Sequence, residues 1–357
     1  TLGTITFREV QTEIGIFNEM FIKGYAKNHN KTGKPQLPVM SKLIEIPLHA
    51  DIQVNIISYD EEIIDLNDHG INYKLYPVQP SISKSTDPDE IVFSYDESSY
   101  KTDHFNNDDL ISVDISGKVR GVQFGNITIS PIQYNPVKNI IKIYNNLEFE
   151  VVFKHADIAL SKQLKTRYYS PVFESVYSQF FNYIPMTAKD QITSYPITYV
   201  IVADRSFETT LDPFIQWKTK KGFKVIEAYT DVIGTTTTAI TSYLSNLYQT
   251  EVPAPTFVLF VGDITQIPSY SGTTGSHVSD TYYVCYDGGS DCIPEMYTGR
   301  FSVETTAELQ AIIDKTLMHE QYTWPDDSFL DNCVMVAGVD GSMAPSHGNG
   351  QIYYGID

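Results

Sequence analysis

The sequence lacks several features that would each have indicated a class of protein. No tract of 18 apolar residues occurs in the 357 residues, so no membrane-spanning segment is predicted. Lys and Arg number 25 against 44 Asp and Glu, and the net charge of −19 argues against nucleic acid as a partner, because phosphate binding depends on clustered cations. The three cysteines are an odd number, which excludes a full disulfide framework.

The amino terminus lacks an export signal, since the opening TLGTITF contains no Met, no basic region and no apolar run. We interpret the chain as a form from which such a signal has been removed, or whose sequence does not include it. The acidic composition fits a soluble protein that is exported or extracellular, or one that binds cations. A chain of 357 residues is too long for one ordinary core, so two domains are expected.

Residues 1–155 are predicted to form an all-β domain. Short alternating runs recur at about the 8–12 residue spacing of a sandwich or barrel, and no helix of useful length is expected before residue 183. Asn145 and Asn146 separate two of these runs and indicate a hairpin turn, because Asn tolerates positive φ. Residues 156–189 carry basic, small and polar residues, and we interpret them as a linker that is open to proteolysis.

From residue 190 to residue 357 the pattern changes to strand–helix alternation. Residues 197–204 form a continuous apolar run typical of a buried parallel strand, and residues 207–221 follow with helical spacing. Residues 332–340 predict a further buried strand that ends in an aspartate. This alternation predicts a doubly wound α/β sheet. The last residues supply no closing element, so we interpret this second domain as incomplete at its carboxyl end.

The stretch 256–303 carries the densest set of candidate site residues. Its apolar strand ends in Gly262-Asp263, and open α/β sheets build their sites at such strand ends. Packed carboxylates repel each other unless a cation offsets them, so the loop that follows is either a calcium site or a solvated acidic loop. The carboxylates of this loop are Asp280, Asp287, Asp291 and Glu295.

Seven motifs stand in a fixed order along the chain. The first half carries GKPQLPVMSKLIEIP (33–47) and RGVQFGNITISPIQYNPVKN (120–139). The second half carries WKTKKGFKV (217–225), FVLFVGD (257–263), SDTYY (279–283), IPEMYTGRFS (293–302) and VMVAGVD (334–340). Together they resemble the gingipain family, secreted bacterial cysteine peptidases of clan CD, over essentially the whole chain.

The resemblance implies a zymogen that is secreted or held at the bacterial cell surface. Its parts would be a β-sandwich inhibitory prodomain (1–155), a linker and maturation segment (156–189), and the amino-terminal α/β subdomain of a caspase-like peptidase domain (190–357). In the family the catalytic His, in an AHG-type motif, and the nucleophilic Cys lie beyond the point that matches Asp357. The dyad is therefore expected outside this chain. His347-Gly348 stands too soon after VMVAGVD and lacks the preceding apolar strand.

The three cysteines are poor candidates for the nucleophile. Cys333 begins a predicted buried strand, where Cys usually acts as a small hydrophobe. Cys285 and Cys292 lie among carboxylates, which would raise a thiol pKa, the opposite of what a reactive thiolate needs. These two cysteines either pair as a disulfide or remain two buried thiols.

The resemblance assigns catalytic and metal-binding roles to residues of the second domain. Asp340 matches the family position whose carboxylate accepts a hydrogen bond from the catalytic His and fixes its tautomer. The family also places a calcium ion in the acidic loop. The implied ligands are Asp263, Asp287, Asp291, the Ile293 carbonyl and Glu295.

The resemblance also assigns inhibitory and maturation roles. In the family a Lys or Arg on a prodomain loop plugs the S1 pocket, so Arg120 and Lys118 are the candidates, on a predicted turn between strands. The bond between Lys189 and Asp190 falls where the family's catalytic domain begins. A Lys or Arg specificity would allow the enzyme to make this cut itself.

The leading interpretation is a cysteine endopeptidase in zymogen form that cleaves after Lys or Arg through an acyl-enzyme. Its expected partners are protein or peptide substrates, its own prodomain as inhibitor, and the remainder of the catalytic domain. Two alternatives stay open. One is a sortase-like transpeptidase of the same superfamily, and the other is a non-catalytic surface adhesin or secretion component.

Overall fold

The structure, a computed structural model, contains two units that follow each other along the chain. It describes residues 2–28, 31–82, 91–106, 109–185, 197–272, 277–288 and 292–334. A β-sandwich comes first and an α/β sheet second, which confirms the predicted fold class. None of the helices within these ranges combines the length and the apolar character needed to cross a bilayer.

The first unit consists mainly of antiparallel strands with one short helix. The strands are β1 (Ile5–Thr12), β2 (Gly15–Ile22), β3 (Ala26–Lys27), β4 (Pro38–Glu45), β5 (Asp51–Asp65), β6 (Ile111–Val119), β7 (Val122–Ile129), β8 (Ile132–Asn135) and β9 (Ile140–Lys154), and helix α1 (Glu97–Tyr100) lies between β5 and β6.

Two sheets pack face to face and form the sandwich. One has the strand order β3-β4-β7-β6 and the other β5-β9-β8, with antiparallel neighbours throughout. Ile44 and Ile127 of the first sheet pack in one cluster with Phe149 and Val151 of the second. Because side chains alternate between the two faces of a strand, the apolar alternation read from the sequence places these residues inside.

The hairpin predicted at Asn145 and Asn146 is wrong. Strand β9 runs through both residues and pairs with β5 along its whole length, with a register shift opposite Ser58 and Asp60. Asn146 does adopt a positive φ of 48°, so the residue supplies the backbone geometry that was expected of it. That geometry produces an irregularity inside a long strand pair instead of a turn.

The segment predicted as a linker is folded over most of its length. Helix α2 (Ile158–Tyr168) and helix α3 (Glu174–Tyr177) occupy it, and Asp157 caps α2 by accepting the Leu160 amide at 2.9 Å. Phe173, Tyr177 and Phe180 pack on Val119 and Val122 at the end of the β6–β7 hairpin. The linker prediction for 156–189 is therefore corrected: helices α2 and α3 pack on the β6–β7 hairpin and belong to the first unit.

The second unit alternates strands and helices as the sequence predicts. Its elements are β10 (Thr198–Ala203), α4 (Glu208–Lys220), β11 (Lys224–Tyr229), α5 (Thr230–Ile233), α6 (Thr237–Thr250), β12 (Phe257–Val261), β13 (Tyr270–Ser271), β14 (Val278–Ser279), β15 (Tyr297–Phe301) and α7 (Thr306–Glu320).

A parallel sheet of order β11-β10-β12-β15 forms the centre of this unit. Alternate residues of β10 enter different cores. Val200 and Val202 pack with Leu244 of α6 on one face, while Ile201 and Ala203 pack on the other face with the helices α4 and α7. A strand covered on both faces needs a continuous apolar sequence, which explains the run at 197–204.

The strand predicted at 332–340 lies almost entirely outside the described residues. Cys333 belongs to the described part and is exposed, so its predicted burial is not observed. Cys285 is half-buried, Cys292 is exposed, and none of the three cysteines, all within the described ranges, forms a disulfide.

Helices α4 and α7 are joined at one end by a polar cluster around Glu320. Its carboxylate accepts hydrogen bonds from Lys218 Nζ at 2.6 Å, Trp217 Nε1 at 2.9 Å and Lys221 Nζ at 3.0 Å. Burial raises the pKa of Glu320, but these donors outweigh it and lower the pKa from 4.5 to about 2. The carboxylate therefore stays ionised and holds the two helices together at neutral pH.

Glu320→Gln should destabilise the chain at neutral pH but not in strong acid. The folded pKa lies below the unfolded value, so the stabilisation is present above pH 4.5 and is lost as the pH falls toward 2. We expect a loss of about 1 kcal/mol at neutral pH, after allowance for solvent screening. Urea unfolding at neutral and at acidic pH measures it, with the exposed Glu62→Gln as control. An equal loss at both pH values would contradict the assignment.

Candidate functional site

The carboxyl edge of the parallel sheet is the first candidate site. Strands β11 and β12 lie on opposite sides of β10, and open α/β sheets place their binding crevice at the carboxyl ends of the strands where the strand order reverses in this way. Asp204 follows β10, and Gly262-Asp263 follows β12. Asp204 caps the next turn by accepting the Ser206 amide at 2.9 Å. The predicted strand end at Gly262-Asp263 therefore lies where the fold places its crevice.

Asp263 is held in a fixed position at this edge. Its Oδ1 accepts a hydrogen bond from Ser302 Oγ at 2.9 Å, and its amide donates to the Val303 carbonyl at 2.9 Å. The Ser302 hydroxyl and the Ile264 amide lower the pKa of Asp263. The side chain is thus an ionised carboxylate tied to the segment after β15.

Arg300 fastens the loop after β12 to the sheet. Its Nε and Nη2 donate to the two carboxylate oxygens of Asp280, each at 2.8 Å, and its Nη1 donates to the carbonyls of Gly262 at 2.8 Å and Ile267 at 3.0 Å. A bidentate pair of this kind fixes orientation as well as distance. Sequence reasoning missed Arg300, although a lone arginine in a half-buried strand beside an acidic loop is a signal for such a pair.

The amino edge of the sheet holds a second group of predicted site residues. Glu295, just before β15, is only 1% exposed, and its Oε2 accepts hydrogen bonds from the Tyr248 hydroxyl at 2.6 Å and from the Arg120 amide. Within the described ranges, the other oxygen, Oε1, is buried and receives no donor. Burial and the neighbouring Asp287 carboxyl raise the pKa of Glu295 to about 8.

Arg120 crosses from the first unit to this edge and is fully buried. It occupies the two-residue turn between β6 and β7. Its guanidinium donates to main-chain carbonyls of the second unit and of α2. The contacts are Nε to Tyr168 at 2.6 Å, Nη1 to Glu295 at 2.7 Å and to Pro255 at 2.8 Å, and Nη2 to Ala254 at 3.3 Å.

Lys118, the other predicted plug residue, also faces the amino edge. Its Nζ lies 3.7 Å from Asp287 Oδ1. Both Lys118 and Arg120 therefore contact the edge opposite the crevice. Because open α/β sheets build their sites at the carboxyl ends of the strands, the structure does not bring either residue to the expected S1 position.

The structure separates the predicted calcium ligands into two groups. Asp263 follows the carboxyl end of β12, while Glu295 lies beside Pro255 at its amino end. At about 3.3 Å per residue, these two carboxylates are roughly 25 Å apart, so Asp263 cannot share a shell with Glu295. The Asp287 side chain contacts Glu295 and so belongs to the group at the amino edge, and Ile293 lies two residues before Glu295 in the sequence. No group of three or more metal-ligating side chains occurs among the residues that the structure describes.

Four predicted site residues lie outside the described ranges, so their roles stay predictions. They are the catalytic candidate Asp340, the calcium candidate Asp291, and Lys189 and Asp190 of the expected maturation site.

The fold and the contacts across its two units define a class of protein in which a β-sandwich is docked on a doubly wound α/β sheet. Two family models match these units in turn: the C25 propeptide at residues 2–184 and peptidase family C25 at residues 192–354. The chain belongs to the C25 peptidase family and carries its propeptide before its peptidase unit. The resemblance drawn from the seven motifs is thereby confirmed.

Individual relatives come from Porphyromonas gingivalis. The chain is 36% identical over 361 residues to Lys-gingipain HG66, and the match covers all of this chain and 21% of that protein. Gingipain R2 of strain W83 is 24% identical over 363 residues, covering 99% of this chain and 47% of that protein. The chain thus spans about a fifth of the length of the Lys-gingipain that it matches.

Among solved structures, one on the zymogenic latency of gingipain K from Porphyromonas gingivalis is 36% identical to this chain. The match covers 44% of this chain and 85% of the chain in that solved structure, with a TM-score of 0.41.

Arg300→Lys should loosen the loop at the carboxyl edge, because Lys lacks the planar fork that binds Asp280 and two carbonyls. We expect a loss of about 1.5–3 kcal/mol in the free energy of unfolding, measured with urea. The matched control is Arg205→Lys, since Arg205 makes the same two-point contact with Asp231 but is exposed. That control should lose less than about 1 kcal/mol. Equal losses of unfolding free energy in the two variants would contradict the role of Arg300 in fastening the loop after β12 to the sheet.

Proposed function

We propose that this chain is the propeptide and the first part of the peptidase unit of a cysteine endopeptidase that cleaves after Lys or Arg. The observation that carries the proposal is that two successive family models match the two units. In the structure the first unit is docked on the second. Family membership favours this function over a transpeptidase or a non-catalytic surface protein. The substrates are proteins or peptides with an accessible basic residue.

The proposed mechanism uses a Cys thiolate that attacks the scissile carbonyl and a His that moves protons to and from it. We assign both groups to the part of the protein beyond this chain. Cys285 is a poor candidate because its thiol donates to the Thr281 carbonyl at 3.3 Å. Asp340 would accept the Nδ1 proton of that His and stabilise the imidazolium. The carboxyl edge, held by Arg300, would support the strand ends around it.

The propeptide unit is proposed to keep the enzyme latent until the bond between Lys189 and Asp190 is cut. The extensive contacts of the β6–β7 turn and of α2 with the peptidase unit support a tightly docked propeptide. The plug residue for the S1 pocket is not assigned, because Lys118 and Arg120 face the other edge. The proposed location is secreted or at the bacterial cell surface, and detection of the protein only in the cytosol would contradict it.

Incubation of the purified full-length zymogen should release a peptidase that hydrolyses lysyl or arginyl amides and is blocked by thiol alkylation. Amino-terminal sequencing of the processed form should give a start at Asp190.

Asp340→Asn should lower kcat by at least ~100-fold, because the His loses its orienting carboxylate. Unchanged kcat in a folded Asp340→Asn variant would contradict the role of Asp340. Absence of hydrolysis by the processed wild type would contradict the peptidase.

We also propose a calcium ion at the amino edge, held by Asp287, Glu295 and the Ile293 carbonyl, with Asp291 as a further candidate ligand. Calcium binds carboxylate and carbonyl oxygens, and a buried Glu295 oxygen without a donor in the described structure beside a second carboxyl fits this preference. The ion would offset the repulsion between the two carboxyl groups and stabilise the loop before β15. Asp263 is not part of this proposal.

Calcium should raise the melting temperature of the full chain by several degrees relative to excess chelator, since binding to the native state stabilises it by mass action. Glu295→Gln should abolish most of this shift, and Asp263→Asn should leave it intact because Asp263 lies at the other edge. Equal melting curves with calcium and chelator would contradict the site. A loss of the shift in Asp263→Asn would contradict the assignment of ligands.

A further inference from the structure

The receptor for Arg120 is a built pocket at the amino edge, which we call the arginine pocket. The peptidase unit contributes the carbonyls of Ala254, Pro255 and Glu295 and the ring of Tyr248, which lies 5.5 Å from the Arg120 Cζ. The first unit closes it with the Tyr168 carbonyl and with Phe173, whose ring is 5.0 Å from the same atom.

The chemistry of the pocket selects a guanidinium. Four carbonyl oxygens surround a planar group with five N–H donors, and Arg120 donates to each of these oxygens. An ammonium group has only three donors and lacks the flat faces that stack on aromatic rings. Tyr248 is itself fixed, because it stacks on Tyr168 at 4.6 Å and donates its hydroxyl to Glu295.

The turn that carries Arg120 is shaped to present it. Arg120 has φ 48° and Gly121 has φ 74°, the left-handed geometry at both central residues that a two-residue hairpin loop requires. Asn or Asp usually takes the first of these positions, and an arginine there is strained because its Cβ lies close to the following carbonyl oxygen. A Cβ on Gly121 would come within 3.0 Å of Leu164 and Tyr168, so α2 packs directly on the turn.

Burial makes these contacts necessary. A guanidinium with no solvent exposure is strongly destabilising if its donors are unpaired, and the carbonyls that face it would lose their partners if it were removed. The hydrogen bonds in the filled pocket offset both the backbone strain of the turn and the desolvation of the guanidinium. Neither feature depends on the carboxyl edge or on peptidase activity.

We propose that the amino edge of the peptidase sheet carries a guanidinium-binding pocket, and that Arg120 occupies it as the anchor of the propeptide unit. The anchor holds the two units together at the edge remote from the crevice. Arg167 adds a second, more exposed contact of the same kind, since its Nη2 donates to the carbonyls of Gln249 and Glu251 at the end of α6.

The experiment uses the full chain with Arg120→Ala, which leaves a space that matches an ethylguanidinium ion. We expect the melting temperature to fall by at least ~5 °C and ethylguanidinium at about 10 mM to restore at least half of that loss. Ethylammonium at the same concentration should restore little, and the wild type should respond to neither. The control variant is Arg205→Ala, an exposed arginine whose loss ethylguanidinium should not restore.

Hydrogen exchange provides a readout at the pocket itself and covers the case in which Arg120→Ala does not fold. The amides of Thr256 and Tyr297 lie at the amino edge, and those of Gly262 and Asp263 lie at the carboxyl edge. In Arg120→Lys, the first pair should exchange at least ~10-fold faster while the second pair is unchanged. Wild-type protection at the amino edge, or equal rescue by both cations, would overturn the proposal.

Discussion

The buried guanidinium of Arg120 is the contact on which the seating of the first unit depends. A charge that leaves water must find partners for its donors, and here four carbonyl partners come from the peptidase unit and from α2 together. Neither unit alone completes the set. The position of the β6–β7 turn is therefore defined by a single side chain more sharply than apolar contact could define it.

The parallel sheet separates two tasks at its two edges. At the carboxyl edge, Arg300 of β15 binds Asp280 and the Gly262 carbonyl. These contacts fasten the loop after β12 to the sheet and shape the crevice. At the amino edge, Glu295 and the arginine pocket receive the propeptide unit. Between them, strands buried on both faces form a stiff connection. The residues that dock the propeptide unit are thus different from those that hold the carboxyl edge.

The architecture was predictable because it rests on periodicity. Apolar runs such as 197–204 predict buried parallel strands, and the alternation of apolar and polar residues predicts the sandwich. Helix α2 was missed because its apolar stripe is weak and none of its residues is fully buried. Asp263 was grouped with Glu295 because the family resemblance implies one shared calcium shell, and a motif match does not tell which edge of a sheet each residue reaches. Arg120 was expected to enter a pocket of the peptidase unit, but the sequence did not tell at which edge of the sheet that pocket lies.

The guanidinium acceptors around Arg120 are main-chain carbonyls, so the hydrogen-bonding part of the receptor does not depend on which side chains those residues carry. Replacement of Ala254 or Pro255 by another residue would leave the same oxygens in place as long as the backbone keeps its course. The anchor, in contrast, is a single side chain that cannot be exchanged for Lys without loss. Sequence drift is therefore tolerated unequally on the two sides of the contact, and a diverged peptidase unit would still accept a propeptide that retains its arginine.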